Sequence, residues 1–450
     1  MEIMLPQSAA QIMEILEKNG FEAWAVGGCV RDSLLGQNPQ DWDIATNALP
    51  EQTSALFRGC TVVQTGEKHG TVTIVLQGQP VEVTTYRIDG VYEDNRHPRQ
   101  VVFTDDIHRD LKRRDFTINA MAYHPRRGLI DDFGGRTDLA RSCIRCVGSP
   151  EERFREDALR IMRALRFSAV LGFEIDADTA AALRKGAGML HSIAAERIRD
   201  ELVRLLCGKN AGQVLTEYRD VFAVVMPQLA PMFDFDQKNP HHYLDVWAHT
   251  VQALSSSVPV PAVRLALLFH DSGKPASFTT DEKGIGHFYG HPAKSEEIAR
   301  EIMHQLRFDH ATADRVRLLV RWHDADILPE GRSVKRWLNR LGEEGLRQLL
   351  QVKAADRGAT NYKFENLSVL RLVEQKLDTV LQEGQCFSRE KLAVNGKDLL
   401  ALGFPQGRQL GEALDTLLGL VIDEQLPNQR TVLLNRAGAM LADDRKDGQR

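Results

Sequence analysis

Asp41 and Asp43 stand one residue apart in the segment WAVGGCVRDSLLGQNPQDWDIAT. Carboxylates at that spacing share one side of an extended strand while Trp42 takes the other. Two such charges repel unless a cation lies between them, and Mg2+, which prefers oxygen ligands and shares them with nucleotide phosphates, is the expected ion. Ahead of the pair, Gly27 and Gly28 end a strand-like run and open a helix-like one, where backbone N–H groups can approach a phosphate. Glu82, in EVTTYR, lies on a later strand-like run, and three carboxylates across one sheet suit two-metal phosphoryl transfer. A lone Asp-x-Asp is ordinarily a surface pair. The order of glycine turn, helix, carboxylate strand and third carboxylate raises this one above that.

Two more polar groups follow. In RRDFTINAMA, Arg113 and Arg114 place two cations beside Asp115 and Asn119, which suits a ribose triphosphate; the plainer expectation is a helix N-terminus capped by Asp115 or Thr117. Asp157 and Arg160 are three apart in EDALRIMRALRF, on one face of a predicted helix, and alone they read as an intrahelical ion pair. A third constellation comprises His249, His270, Asp271, His287, His291, His323 and Asp324. So many imidazoles and carboxylates in one helical region suit a metal, and Mn2+, Fe2+, Co2+ or Ni2+ fit the donor set better than Mg2+ alone.

The elements that must position these residues have a legible order. Ile12, Ile15 and Leu16 share a helical face over residues 8–19, with Ser8 as the expected N-cap and Gly20 as the stop. FEAWAVGG reads as a buried strand, DSLLG as a helix ending at Gly36, and TVVQT, GTVTIVL, VEVTTYR and RQVVFT as strands. Beyond Ser149 the spacing becomes helical, with no convincing strand, and DFDQKNPHH is the expected linker. The fold class expected is α+β: a mixed-sheet unit over 1–140, followed by helical regions over 141–235, over 236–330, where the His and Asp constellation lies, and over 331–450.

Composition sets limits. A chain of 450 residues exceeds one hydrophobic core, and 43% hydrophobic with 26% charged residues is the balance of a soluble globular protein. The net charge of −5 does not point to nucleic acid, yet Arg109 to Arg166 carries 14 Arg or Lys against 9 Asp or Glu, a stripe able to neutralise phosphates. The six cysteines are scattered, and Cys143 and Cys146 lack a second pair at zinc spacing, so reduced thiols are expected. No apolar run is long enough to span a bilayer and the start lacks a signal peptide, which leads to a cytoplasmic expectation.

GGCVRDSLLG followed by DWDIAT resembles the head of the class II tRNA nucleotidyltransferases and bacterial poly(A) polymerases. RRDFTINAMA is similar to their ribose-recognition motif, LIDDFGGRTDL to the next motif, EDALRIMRALRF to the base-reading motif, and AAERIRDEL to the last motif of head and neck. The resemblance implies catalytic Asp41, Asp43 and Glu82, with nucleotide bound by Gly27, Gly28, Arg31, Arg113, Arg114, Asp115, Asn119, Asp157 and Arg160. It also implies that Asp157 and Arg160 read the base edge shared by CTP and ATP. The expected reaction is addition of C, C and A to the 3′ end of tRNA with release of pyrophosphate, with no membrane or DNA partner. TGEKHGTVTIV and the loop YRIDGVYEDNRHPRQVVFTDDIHRDL favour full CCA addition over a poly(A) type or partial addition. RLALLFHDSGKP resembles the HD phosphohydrolases, with GHFYGH and RWHD as later elements. That implies His249 as first ligand, His270 and Asp271 as the pair, Asp324 as the closing carboxylate and His287, His291 and His323 as further candidates. An inactive head on an HD phosphohydrolase or RNA-binding protein is the rival of another class. The final segment is similar to the tRNA-docking tail of bacterial relatives.

Overall fold

The computed structural model describes residues 3–64, 66, 70–89, 101–240, 243–360 and 363–447. The discriminating stretch at 65–75 and the long loop after Arg87 fall partly outside them, as do two histidines of the expected linker. The chain divides into two compact units, Met1–Pro227 and Gln228–Arg450.

In the first unit, α1 Gln7–Lys18, β1 Ala23–Val26, α2 Gly28–Leu34, β2 Asp43–Thr46, α3 Pro50–Leu56, β3 Thr61–Val63, β4 Thr71–Leu76 and β5 Gln79–Thr85 come first among the described residues. There follow β6 Arg87–Asp89, β7 Val101–Phe103, α4 Ile107–Lys112, β8 Ala122–His124, β9 Gly128–Ile130 and α5 Gly135–Ala140. The main sheet runs β3-β4-β5-β2-β1-β8-β9, with β2 and β5 parallel and its other pairs antiparallel. β1 is buried along its whole length, as a central strand covered on both faces should be. α1 presses Ile12, Met13 and Leu16 inward, each such side chain worth roughly 1.5–3 kcal/mol of burial. Ser8 is not the cap of α1. Pro6 occupies that position, and Ser8, buried one position into the helix, donates to Gln79 Oε1 at 2.8 Å.

The helical part of this unit comprises α6 Pro150–Glu156, α7 Leu159–Leu171, α8 Ala177–Gly186, α9 Ala195–Leu206, α10 Ala211–Glu217 and α11 Arg219–Val225. One correction concerns strands: Cys143–Ile144 pairs in parallel with Glu174–Ile175, a two-residue ladder past the expected end of the sheet. The cysteines are free thiols, and burial pushes Cys146 up to about 12.

The second unit is built on α12 Val246–Ser256, α13 Pro261–Phe269, α14 Lys274–Ser277, α15 His291–Gln305, α16 His310–Trp322, α17 Gly331–Gly358 and α18 Lys363–Gln382. It continues through α19 Gly396–Ala401, α20 Arg408–Ile422 and α21 Arg430–Asp447, which close on a core including Leu399, Phe404, Leu417 and Leu433. A small hairpin of Thr279–Thr280 with Gly286–His287 is its strand content among the described residues. α12, α13 and α16 all pack on α17, a helix that lies past residue 330. None of the described helices is long and apolar enough to cross a membrane.

Candidate functional site

The register of β2 and β5 builds the floor of the first site. Asp43 is the direct partner of Glu82 across this parallel pair, and Asp41 lies two residues earlier, with Trp42 buried between them. The alternation expected from sequence is therefore present, although the ladder begins only at Asp43. Three carboxylates now face one cleft of about 910 Å3, lined also by Gly27, Gly28, Arg31, Arg113, Arg114, Asp115, Asn119, Asp157 and Arg160. Burial, then the charges of Glu82 and Asp41, push Asp43 up to about 6 against the opposing pull of Arg114. A half-buried carboxylate raised by two like neighbours is a group short of positive charge, so the donor set fits a divalent cation.

Gly27 has φ +77°, and a Cβ there would meet Arg114 Nη1 at 2.9 Å, with Asp43 Oδ2 at 3.9 Å. Only glycine leaves the turn between β1 and α2 open to both groups. Arg113 and Arg114 share an anchor that the sequence reading passed over, the buried Asp110 of α4. Arg113 Nε donates to Asp110 Oδ1 at 2.9 Å and Arg114 Nη2 to Oδ2 at 3.2 Å. Burial would raise Asp110, but the two guanidinium groups hold its carboxyl below the usual range. Its spacing of three and four before the arginines was a readable signal.

RRDFTINAMA does not open an α-helix. Thr117–Asn119 forms a single 3-10 turn after Phe116 in extended conformation, and Thr117 donates to Asp138 at 2.5 Å. Asp115 Oδ1 accepts from the Phe116 amide at 2.8 Å and from Asn119 Nδ2 at 3.2 Å, while Oδ2 accepts from Arg163 Nε at 2.8 Å and Nη2 at 2.6 Å. Asn119 Oδ1 in turn accepts from Arg31 Nη1 at 2.7 Å. Burial raises Asp115, yet Arg163, with Arg160 and Asn119, holds it far below the ordinary carboxylate range.

Asp157 and Arg160 lie in the same cleft but not on one helical face. Asp157 is extended (φ −143°, ψ 104°) between α6 and α7, its Oδ1 accepting from the Leu159 amide at 3.1 Å and its Oδ2 from Arg197 Nη2 at 3.0 Å. Arg160 Nη1 donates to Glu156 Oε2 at 2.6 Å, and its Nη2 to the Arg113 carbonyl at 2.9 Å. Each side chain is thus braced from another direction. A carboxylate and a guanidinium held this way can meet an exocyclic amine and ring acceptors of a base.

The second unit gathers His249, His270, Asp271, His291 and His323 into two triads that share Asp271. His270, His291 and His323 each donate Nδ1–H to a backbone carbonyl, of Leu267 (2.7 Å), Phe288 (2.9 Å) and Val320 (2.7 Å). Their Nε2 lone pairs are left for a cation, the arrangement usual for metal-binding histidines. His291 Nε2 and His323 Nε2 lie 3.2 Å apart, and His270 Nε2 lies 3.3 Å from Asp271 Oδ2 without a well-directed hydrogen bond. Burial would lower His270, but Asp271 and Asp356 drive it up to about 10, while burial and the charge of His270 push His323 down to about 3.

The closing carboxylate has two candidates. Asp324 lines a cavity of about 490 Å3 together with Asp271, His291, His323 and Asp356, but belongs to neither triad. Asp356, on α17, instead places Oδ1 2.9 Å from His249 Nε2 and 3.5 Å from His270 Nε2. His287 borders that cavity too, 3.4 Å from Asp281 and stacked on Tyr289, apart from the triads.

Comparison with known proteins adds an independent line. Residues 23–145 match the profile of the poly(A) polymerase head domain, 172–233 a probable RNA- and SrmB-binding site of polymerase A, and 276–437 a putative second domain of tRNA nucleotidyltransferases. A CCA-adding enzyme of Levilactobacillus brevis is 35% identical over 429 residues, 95% of this chain and 96% of its own. Another from Lactiplantibacillus plantarum is 34% identical over 443 residues, 98% and 97% of the two chains. The crystal structure of the Bacillus stearothermophilus CCA-adding enzyme in complex with CTP superposes with a TM-score of 0.75 at 30% identity, covering 99% of this chain and all of that one.

Proposed function

Because the chain belongs to the family of CCA-adding enzymes, we propose that it adds C, C and A to the 3′ end of tRNA from CTP and ATP, releasing pyrophosphate. The observation carrying this reading is the pairing of Asp43 with Glu82, two residues from Asp41, in a cleft that also holds Asp157 and Arg160. Members of this family are nucleotidyltransferases that use a divalent metal, and Asp41, Asp43 and Glu82 are the residues that would hold Mg2+. Bound there, the metal would activate the attacking hydroxyl and neutralise charge at the leaving oxygen. Arg113 and Arg114, fixed by Asp110, present cations to the triphosphate. Asp157 and Arg160 supply an acceptor and a donor in the pattern that cytosine and adenine share and uracil and guanine reverse, a template made of protein.

Labelled CTP and ATP incubated with tRNA lacking CCA, followed by product sizing, tests the reading. Three additions support it; a long tail would indicate a poly(A) polymerase and a single A a partial enzyme. A second activity rests on the buried His and Asp cluster, whose donors suit Mn2+, Fe2+, Co2+ or Ni2+. Phosphoester hydrolysis there would be lost on replacing His270 and Asp271 while CCA addition persists.

A further inference from the structure

Asp115 receives four hydrogen bonds, two of them from Arg163. An ionised carboxylate offers about four lone-pair sites, so this side chain is fully committed within the protein. Its partner lies on α7, one turn beyond Arg160, whose own head group reaches back to the Arg113 carbonyl. Arg163 also faces Glu201 of α9 at 3.6 Å, and Arg166 binds the same Glu201 at 2.5 Å. Phe167 forms the apolar floor, with Arg31, Arg163 and Arg166 guanidinium carbons 5.1, 5.5 and 3.8 Å from its ring centre. Through Asn119, Arg31 closes the chain of contacts back to α2. One continuous network thus joins the glycine turn beside Asp43 to the helix that carries Arg160.

We propose that Arg163 is a positioning residue for nucleotide choice: by gripping Asp115 it fixes the rotation of α7, and so the placing of Arg160, relative to the metal-binding carboxylates. Arg163 lines the same cleft, and its effect on selectivity is assigned to this grip on Asp115. Asp115 is the receiving end of that grip. Helix rotation is the relevant freedom because residues three apart lie on one face, one above the other. Loss of the grip at 163 releases the turn that presents 160.

The inference rests on Asp157 and Arg160 reading the base, and the test separates the two. Single-turnover addition to tRNA lacking CCA is measured with CTP, UTP, ATP, GTP and dCTP for wild type and for Arg163→Met, Arg163→Lys, Asp115→Asn, Arg163→Met with Asp115→Asn, and Arg160→Ala. Arg163→Met and Asp115→Asn should each lower the CTP-to-UTP ratio about tenfold, with the double variant no worse than either single one. The double variant leaves no unpaired buried charge, so it keeps the test open if Arg163→Met alone does not fold. Arg163→Lys, which keeps the charge but not the two-pronged grip, should recover only part of the ratio. A general loss of rate with an unaltered CTP-to-UTP ratio would overturn the proposal, as would a shift confined to CTP against dCTP in Asp115→Asn. If Arg160→Ala also leaves selectivity unchanged, the base-reading assignment itself falls; if only Arg160→Ala relaxes it, the role of Arg163 alone is refuted.

Discussion

Replacing Asp43 by Asn should stabilise the metal-free head while destroying its activity, and the size of the effect follows from the site's own electrostatics. The carboxyl is raised from 3.8 to about 6, first by burial and then by Glu82 and Asp41. Each unit corresponds to ~1.4 kcal/mol, so ionising Asp43 at neutral pH costs up to about 3 kcal/mol relative to the unfolded chain. Its half-buried position leaves part of the charge solvated, and roughly 1.5–3 kcal/mol is the expected gain on neutralisation. The sign is fixed by linkage. A carboxyl whose folded pKa is raised binds more protons when folded, so stability falls as pH rises from about 4 through about 6 and stays low above.

Amide hydrogen exchange of β2 and β5 in EDTA is the assay. At pH 7.5, Asp43→Asn should exchange about ten- to a hundredfold more slowly than wild type, the ratio that this free energy sets. Near pH 4 the two proteins should converge, because wild-type Asp43 is then neutral as well. Added Mg2+ should slow exchange in the wild type, whose carboxylates it compensates, and do little for the variant. Equal or faster exchange in Asp43→Asn at pH 7.5 without metal would refute the account, since the three carboxylates would then not be in conflict.

Asp41→Ala should abolish incorporation of both CMP and AMP while tRNA binding, read by filter retention, survives, because the lost group serves chemistry. Asp157→Ala should relax exclusion of UTP and GTP by about ten- to a hundredfold in single-turnover addition, the discrimination of one good base contact. Arg197→Ala should move selectivity in the same direction by less, as it frees the carboxylate that Arg197 holds at 3.0 Å. In the second unit, Asp356→Ala should weaken Mn2+ or Ni2+ binding by at least about tenfold in calorimetry, and Asp324→Ala should leave it unchanged; the reverse order would restore Asp324 as the closing ligand.

What could be read from sequence was whatever a short period encodes. Asp41, Trp42 and Asp43 fall where a two-residue alternation puts them, and the pairing with Glu82 needs only that both strands reach the same edge. The helix over residues 8–19 was equally legible, but its cap was not. Ser8 has the right chemistry for an N-cap, yet Gln79 of β5 offers it a partner and buries it instead. Asp157 fails for a similar reason: neither Gly nor Pro marks a break in EDALRIMRALRF, and the chain is opened there by Asp157 itself, bonding the Leu159 amide and Arg197.

The closing carboxylate of the second site shows where periodic reasoning runs out. His270 and Asp271 are neighbours, and His291 and His323 begin or follow helices whose ends are visible as breaks in pattern. Asp324 is the residue that the resemblance of RWHD to a later element of the HD phosphohydrolases implies. At the end of α16, however, His323 turns its ring inward, bonding the Val320 carbonyl, while Asp324 lies at the more exposed rim of the cavity that both residues line. Asp356 reaches the cluster from α17, where Val352 and Ala355 are buried and Asp356 lies beside them. A charged residue at the inner margin of an amphipathic face is costly without a partner, so its presence there was a signal of a buried cation or histidine to meet. Nothing in the local spacing says which, because the partners His249 and His270 belong to helices far away in sequence and are brought near only by the packing of α12 and α13 on α17.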